Sequence, residues 1–500
     1  MLSNLFILMQ LIRNTLAHYS AFTTLILIVI CVSGPVSVFA QSPAKSSGTG
    51  RSESVDFAAD TVVVSLTDAI TRALDISPEL SASEAETGKA SSLYDLARAS
   101  RYLTRFELTS AFSTAPAIHN PNNTPTDRLY LDPDVRNNWE NGSIFSRVDV
   151  RAVQPLFTWG EVTGNIRAAE HGVDVRLGVE RATTQAIVNR TAEMYFKLLL
   201  TEALYKVTEE AGEQVDRAEK QIADLIEEGD PGVDQADLFD VQITKQEFVR
   251  GVVAVKQRME TAAAALSRQM ILRDGTAVRT TASELETIDF EQLPLEHYQL
   301  LALQHRPELE QVVSGRLARN ELVTVAKSDY YPKLFLAVDA TYSYAQNRYR
   351  QPNPYVGDPF LNRSLRAGIG ITQKLNFSQT KARVERARYD EIALESQEEI
   401  LHQLIQFEVE QAYREVIIAS AAVEANAKAL QISKEWLATE EINFDLGLGD
   451  SQNLVRVVKR NLEAILEDFE ARYAYNVAVL RLLGATGILE ASVQNGIFVE

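Results

Sequence analysis

Asp234, Asp237 and Asp240 stand three residues apart in and just beyond the turn "EEGDPGVDQADL" (Glu227 to Leu238). On a helix that spacing puts neighbouring carboxylates on one face, where they attract cations once confined away from bulk water. The same acids also fit the solvated first turn of a helix, stabilised by its dipole. A second turn, "DLGLGDSQNL" (Asp445 to Leu454), carries Asn453 and Arg456 where the first has Asp237 and Asp240. Nothing catalytic accompanies them. The histidines, at 18, 119, 171, 297, 305 and 402, have no metal-ligand spacing, and neither a GxSxG elbow nor a phosphate-binding glycine loop is present. "GLG" at 447–449 lies in a helix–helix turn, and "DPGVD" lacks the acid spacing of a calcium loop. No enzyme and no cofactor are expected.

The bulk numbers narrow the class. The formal net charge of −19 argues against a nucleic-acid partner. Cys31 is the only cysteine, so no intramolecular disulfide can form. Arg13 precedes the apolar run "FTTLILIVICV", and "SGPVSVFA" ends with small residues at Val38 and Ala40, which reads as a signal peptide over residues 1–40.

Four short stretches then need explaining. "LFLAVDATYSY" (Leu334 to Tyr344) alternates, with Leu334, Leu336, Val338, Ala340, Tyr342 and Tyr344 on one parity and Asp339, Thr341 and Ser343 on the other. That is a strand with two different faces. Strands are expected at 104–114, 144–156, 334–345 and 365–375, each about the length of a tilted membrane strand. A strand in lipid must belong to a closed barrel, and four are too few to close one, so other copies of the chain must supply the rest. Aromatic residues gather where strands meet helices: Tyr102, Phe106, Phe157, Trp159, Tyr330, Tyr331, Phe335 and Phe377, the place for a girdle at one membrane face. The loops at 115–142 and 346–363, rich in Pro, Asn and Asp, are then expected outside the cell.

The chain also repeats itself. "ALDISPEL" (Ala73 to Leu80) returns as "ALQHRPEL" (Ala302 to Leu309), and at the same offset "LARASRYLTRF" returns as "VAKSDYYPKLF". "VRAVQPLFTWG" (Val150 to Gly160) matches "IGITQKLNFSQ" (Ile369 to Gln379). A flexible segment at 41–60 is followed by a first repeat over 61–272, with a long helix at 160–228 and a return helix at 234–270. A linker at 273–293 leads to a second repeat over 294–487, with helices at 378–446 and 451–483, and a tail at 488–500. Each repeat opens with a helix of about forty residues, ending near Tyr102 or Tyr331. Heptad-like seams are read at Ala211, Val215, Ala218, Ile222 and Leu225, and at Tyr413, Val416, Ser420, Val423, Ala427 and Leu430.

Over roughly 61 to 487 the sequence resembles the TolC family of outer-membrane efflux proteins. The resemblance rests on the duplicated order of elements, on "SPEL" and "RPEL", on "YYPKLFLAVDATYSY" and "VQPLFTWG", and on the two turns. It implies a mostly α fold with membrane β: a homotrimer whose four strands per protomer form one twelve-stranded barrel, continued by a helical tunnel through the periplasm. It implies a passive exit duct for drug efflux or type I secretion, lying in outer-membrane lipid. A periplasmic adaptor and an inner-membrane transporter of RND, ABC or MFS type would complete the pathway. The adaptor would contact hairpin tips mapping to Gly229, Asp230 and Gly232, and to Gly447, Leu448, Gly449 and Asp450. The family often narrows its tunnel with aspartates after the second turn. Asn453 and Arg456 depart from that pattern, and the acids Asp234, Asp237 and Asp240 after the first turn become gate candidates beside them. The rival readings are a periplasmic coiled-coil scaffold without a pore and a secreted enzyme on a helical frame.

Overall fold

The computed structural model describes residues 61–494 except 103, 126–132, 229–234, 274, 283, 349–356 and 447–450. The expected signal peptide, the segment 41–60 and the residues named at both hairpin tips lie outside the described residues, as does Asp234.

The order is β1 (Thr61–Val64), α1 (Leu66–Asp75), α2 (Pro78–Ala99), β2 (Arg105–His119), β3 (Arg136–Phe157), α3 (Glu161–Glu228) and α4 (Gln235–Gln269). Then come β4 (Ala277–Thr280), α5 (Leu295–His305), α6 (Pro307–Ser328), β5 (Lys333–Ala345), β6 (Arg363–Thr372), α7 (Phe377–Asp445), α8 (Ser451–Thr486) and α9 (Leu489–Gln494). At ~1.5 Å per residue, α3 and α7, with 68 and 69 residues, each run about 100 Å.

The helix of about forty residues expected at the head of each repeat is in fact two. Pro78 and Pro307 stand at the first helical turn of α2 and α6, and proline biases the residue before it away from helix. The two breaks are capped differently. The Ser77 side chain accepts from the Leu80 amide at 3.2 Å. Arg306, in the equivalent place, instead ties the break to α7 through Glu408 at 3.0 Å while also pairing with Glu308 at 3.1 Å.

Four further details differ from the expectation. The linker at 273–293 contains β4, which pairs in parallel with β1, and the tail at 488–500 begins with α9. β2 and β3 continue pairing past the expected loop boundaries, to His119 opposite Arg136, because the irregularity between Ala115 and Ala117 absorbs Pro116. On α7 the packed stripe is Ile405, Val409, Val416, Ala419 and Ser433, all buried, whereas Ser420 and Ala427 are exposed. The buried stripe steps by three from Val416 to Ala419 where the expected seam steps by four to Ser420, which moves alternate members by one residue.

The sheet order is β2–β3–β5–β6, antiparallel throughout. The helices joined to these strands keep that order, α2 packing on α3, α3 on α6 and α6 on α7. The long helices therefore continue the wall that the strands begin. A core sits midway along them, where Tyr195 and Leu198 of α3, Leu266 of α4, Ile405 and Val409 of α7 and Leu480 and Leu482 of α8 are fully buried. Each such aliphatic side chain contributes ~1.5–3 kcal/mol by leaving water.

Candidate membrane wall and tunnel end

Cross-strand register sorts the sheet's side chains into two faces. On one lie Phe106, Leu108 and Phe112 of β2, Val148 and Val150 of β3, Val338 and Tyr342 of β5, and Leu365, Ile369 and Ile371 of β6. Leu365 and Phe112 are 74% and 72% exposed, a level that would be costly in water for so large an apolar surface. The other face is charged. Arg151 on β3 pairs with Asp339 on β5 at 2.8 Å, Arg147 with Asp149 at 2.7 Å, and Arg105 with Glu107 at 2.8 Å. Thr341 donates to Asp149 at 2.7 Å. Such a sheet suits lipid on one side and water on the other. No helix among the described residues is long and apolar enough to cross a membrane.

The eight aromatic residues do not form one group. Phe157, Trp159 and Tyr331 pack together, Trp159 edge-on to Phe157 and stacked on Tyr331, both at 4.8 Å between ring centroids. Trp159 reaches this position with φ at 52°, beside Gly160 at φ 90°, and its indole N–H donates to the Pro332 carbonyl at 2.8 Å. Phe106 is exposed on the apolar face; Tyr102 just before β2 and Phe377 at the start of α7 are exposed too. The Tyr330 carbonyl accepts from Gln373. Phe335 belongs elsewhere: it shares parity with Asp339 and its ring covers Gly370 on the next strand. The alternation alone placed it, since Phe335 breaks the polar row.

Beneath the aromatic cluster lies an ionic junction. Lys333 bridges Glu161 of α3 and Asp329 after α6, both at 2.8 Å, and Lys374 also reaches Asp329 at 2.9 Å. Burial pushes the Asp329 carboxyl up, but hydrogen bonds from Lys333 and Lys374 outweigh this and hold it below its ordinary value. The junction went unread in the sequence. Its signal was an asymmetry: the repeat places Ser100 and Thr104 where the second half has Asp329 and Lys333.

At the far end of the helices the described gate candidates fall on two helices, α4 and α8. Asp240 is exposed on α4, and Asp237 lies in the first turn of that helix. Asn453 and Arg456 begin α8, and Arg456 donates to the Asn453 side chain at 2.6 Å. Lys245, which the sequence did not single out, clasps α4 to α3 through Asp216 and Glu219, both at 2.7 Å. Hydrogen bonds to these carboxylates raise the lysine's pKa, and Lys245 holds the Glu219 carboxyl below its ordinary value despite the opposing effect of burial. Between the α3–α4 and α7–α8 hairpins lies a cavity of about 650 Å³, with Val215, Phe248, Phe444 and Val458 in its lining. No group of side chains suited to a metal ion occurs among the described residues.

Two repeats, a two-faced sheet and paired long hairpins can be set beside known proteins. The model of the family described as outer membrane efflux protein matches residues 69–268 and 300–488. The chain belongs to that family. It is an outer-membrane exit channel, with its helices in the periplasm, and not an enzyme. No curated relative matches it in sequence. Among solved structures it is similar to the CmeC outer membrane channel of Campylobacter jejuni, with a TM-score of 0.68 at 14% identity, covering 87% of this chain and 89% of that one. VceC from Vibrio cholerae gives 0.67 at 15%, covering 84% and 96%. The open state of MtrE from Neisseria gonorrhoeae gives 0.66 at 15%, covering 84% and 88%. At such identities these likenesses concern the fold.

Proposed function

We propose that three copies of this efflux protein close a single barrel of twelve strands, and that the duct works with a periplasmic adaptor and an inner-membrane transporter. The observation that carries this reading is the open sheet. β2 and β6 have unpaired outer edges among the described residues, and one face of the sheet is apolar and exposed. In lipid those edges must be closed, and a second and third copy supply the missing strands. The exposed residues Tyr389, Ile400 and Phe407 on α7 would then pack against neighbouring copies. The adaptor would read the tips Gly229–Asp234 and Gly447–Asp450, and the transporter would be of RND, ABC or MFS type. Asp237 and Asp240 would give the tunnel end a cation-attracting rim.

The test is native mass measurement of the detergent-extracted chain together with planar-bilayer conductance. A trimer that opens discrete conductance steps supports the duct. A monomer, or a trimer with no conductance, refutes it in favour of a scaffold.

A further inference from the structure

The two open edges of the sheet carry enough pattern to fix how copies meet. We propose that β6 of one copy pairs antiparallel with β2 of the next so that Thr372 lies opposite Arg105, Arg366 opposite Ala111 and Arg363 opposite Thr114. The proposal rests on the shared-barrel reading above and goes beyond it to a residue register.

Three independent features select this register. The first is facing. A slip of one residue would turn the apolar row of β6 toward the charged face of β2, so only alternate registers are allowed. Among these, the proposed one sets Ile371 beside Phe106, Ile369 beside Leu108 and Leu365 beside Phe112. All six are more than 60% exposed in the single chain. Aromatic and β-branched cross-strand pairs of this kind are favourable. A shift of two residues either way sets large side chains against Ser110 or Ala367.

The second feature is stagger. A row drawn straight across the sheet from Arg105 passes through Val153, Ala337 and Gly368. β6 continues beyond Gly368 to Thr372 before α7 begins, so the helix-side end of the wall climbs four residues across one copy. Meeting Arg105 of the next copy with Thr372 adds that climb at every seam. For twelve strands ~4.8 Å apart and rising ~3.3 Å per residue, the resulting tilt is about 35°, at the low end of the range that barrels adopt. The unstaggered alternative, with Arg366 opposite Glu107, attracts by charge but gives no tilt, and a barrel cannot close that way.

Length is the third. β6 has 10 residues, and they fill the regular part of β2, from Arg105 to Thr114, stopping just before the irregularity at Ala115.

The register has a consequence inside the lumen. Asp339, opposite Arg366 within the copy, is held by Arg151 at 2.8 Å, and Ala111 of the next copy offers no carboxylate. Three Arg366 guanidiniums therefore stand as a ring of unpaired cations that draws small anions into the barrel.

The chain without its expected signal peptide has no cysteine, so the test is disulfide trapping in membranes. Ser364→Cys combined with Ser113→Cys should give covalent trimers on a denaturing gel without reductant. Ser364→Cys with Thr109→Cys reports the unstaggered register, and Ser364→Cys with Ala115→Cys a register two residues further. Trapping in either of these instead, or in none while the native trimer persists, overturns the register and leaves the trimer standing. A wild-type chain with no native trimer would overturn the shared barrel itself. Arg366→Gln should shift the reversal potential in a KCl gradient toward the cation side, and an unchanged potential would overturn the ring.

Discussion

Arg151 on β3 holds Asp339 on β5 across the strand pair at 2.8 Å, and the residues next to them in sequence, Val150, Ala152 and Val338, all point to the other side of the sheet. One residue separates a salt bridge from the apolar face, so substitutions on adjacent residues should behave in opposite ways.

Ile369→Arg puts a charge on the apolar face and should cost ~2–4 kcal/mol at mid-membrane depth, seen as a loss of folded, heat-modifiable protein in membranes. Thr341→Arg, on the charged face beside Asp149, should leave that yield near wild type. Equal losses from both would reverse the assignment of faces.

Gly370 lies under the Phe335 ring, with no room for a side chain between them. Gly370→Val should therefore destabilise the sheet by ~1–3 kcal/mol through overpacking. Combining it with Phe335→Ala should recover part of the loss in a thermal melt.

The alternation of "LFLAVDATYSY", the repeat and the long helices were all legible because each depends on local periodicity. The face of Phe335 was legible too, since it shares parity with Asp339, but its packing over Gly370 was not, because that partner is distant in sequence and offers no pattern of its own. The ionic junction escaped for a related reason: Lys333, Asp329, Glu161 and Lys374 meet only when α3, α6 and β5 converge. The seam on α7 was read with Ser420 in place of Ala419 because a heptad written three-four or four-three differs by one residue at every second step. The strand extension past Ala115 was hidden by Pro116, which reads as loop until the irregularity accommodates it.

Asp329 has its pKa depressed, so its contribution is present above the ordinary carboxylate pKa and lost as pH falls through the lower folded value. Asp329→Asn should cost ~2 kcal/mol at neutral pH through its lost charged hydrogen bonds, and the gap to wild type should narrow in strongly acidic buffer. Melting temperatures measured across pH 2 to 7, which brackets the ordinary carboxylate pKa of ~3.9, supply the check.

At the tunnel end, Asp237→Asn with Asp240→Asn should reduce cation selectivity in planar bilayers and weaken block by trivalent cations. If both remain as in wild type, the rim is built elsewhere, and the Asn453–Arg456 pair becomes the next site to change.

The orientation of the wall is tested most directly by cysteine labelling on living cells. Asn123 lies between β2 and β3, on the side away from the helices, and Lys256 lies on α4. With an impermeant thiol reagent, Asn123→Cys should label on intact cells, whereas Lys256→Cys should label only after the outer membrane is permeabilised. The reverse pattern, or labelling of neither until lysis, would contradict a barrel that opens outward from a periplasmic tunnel.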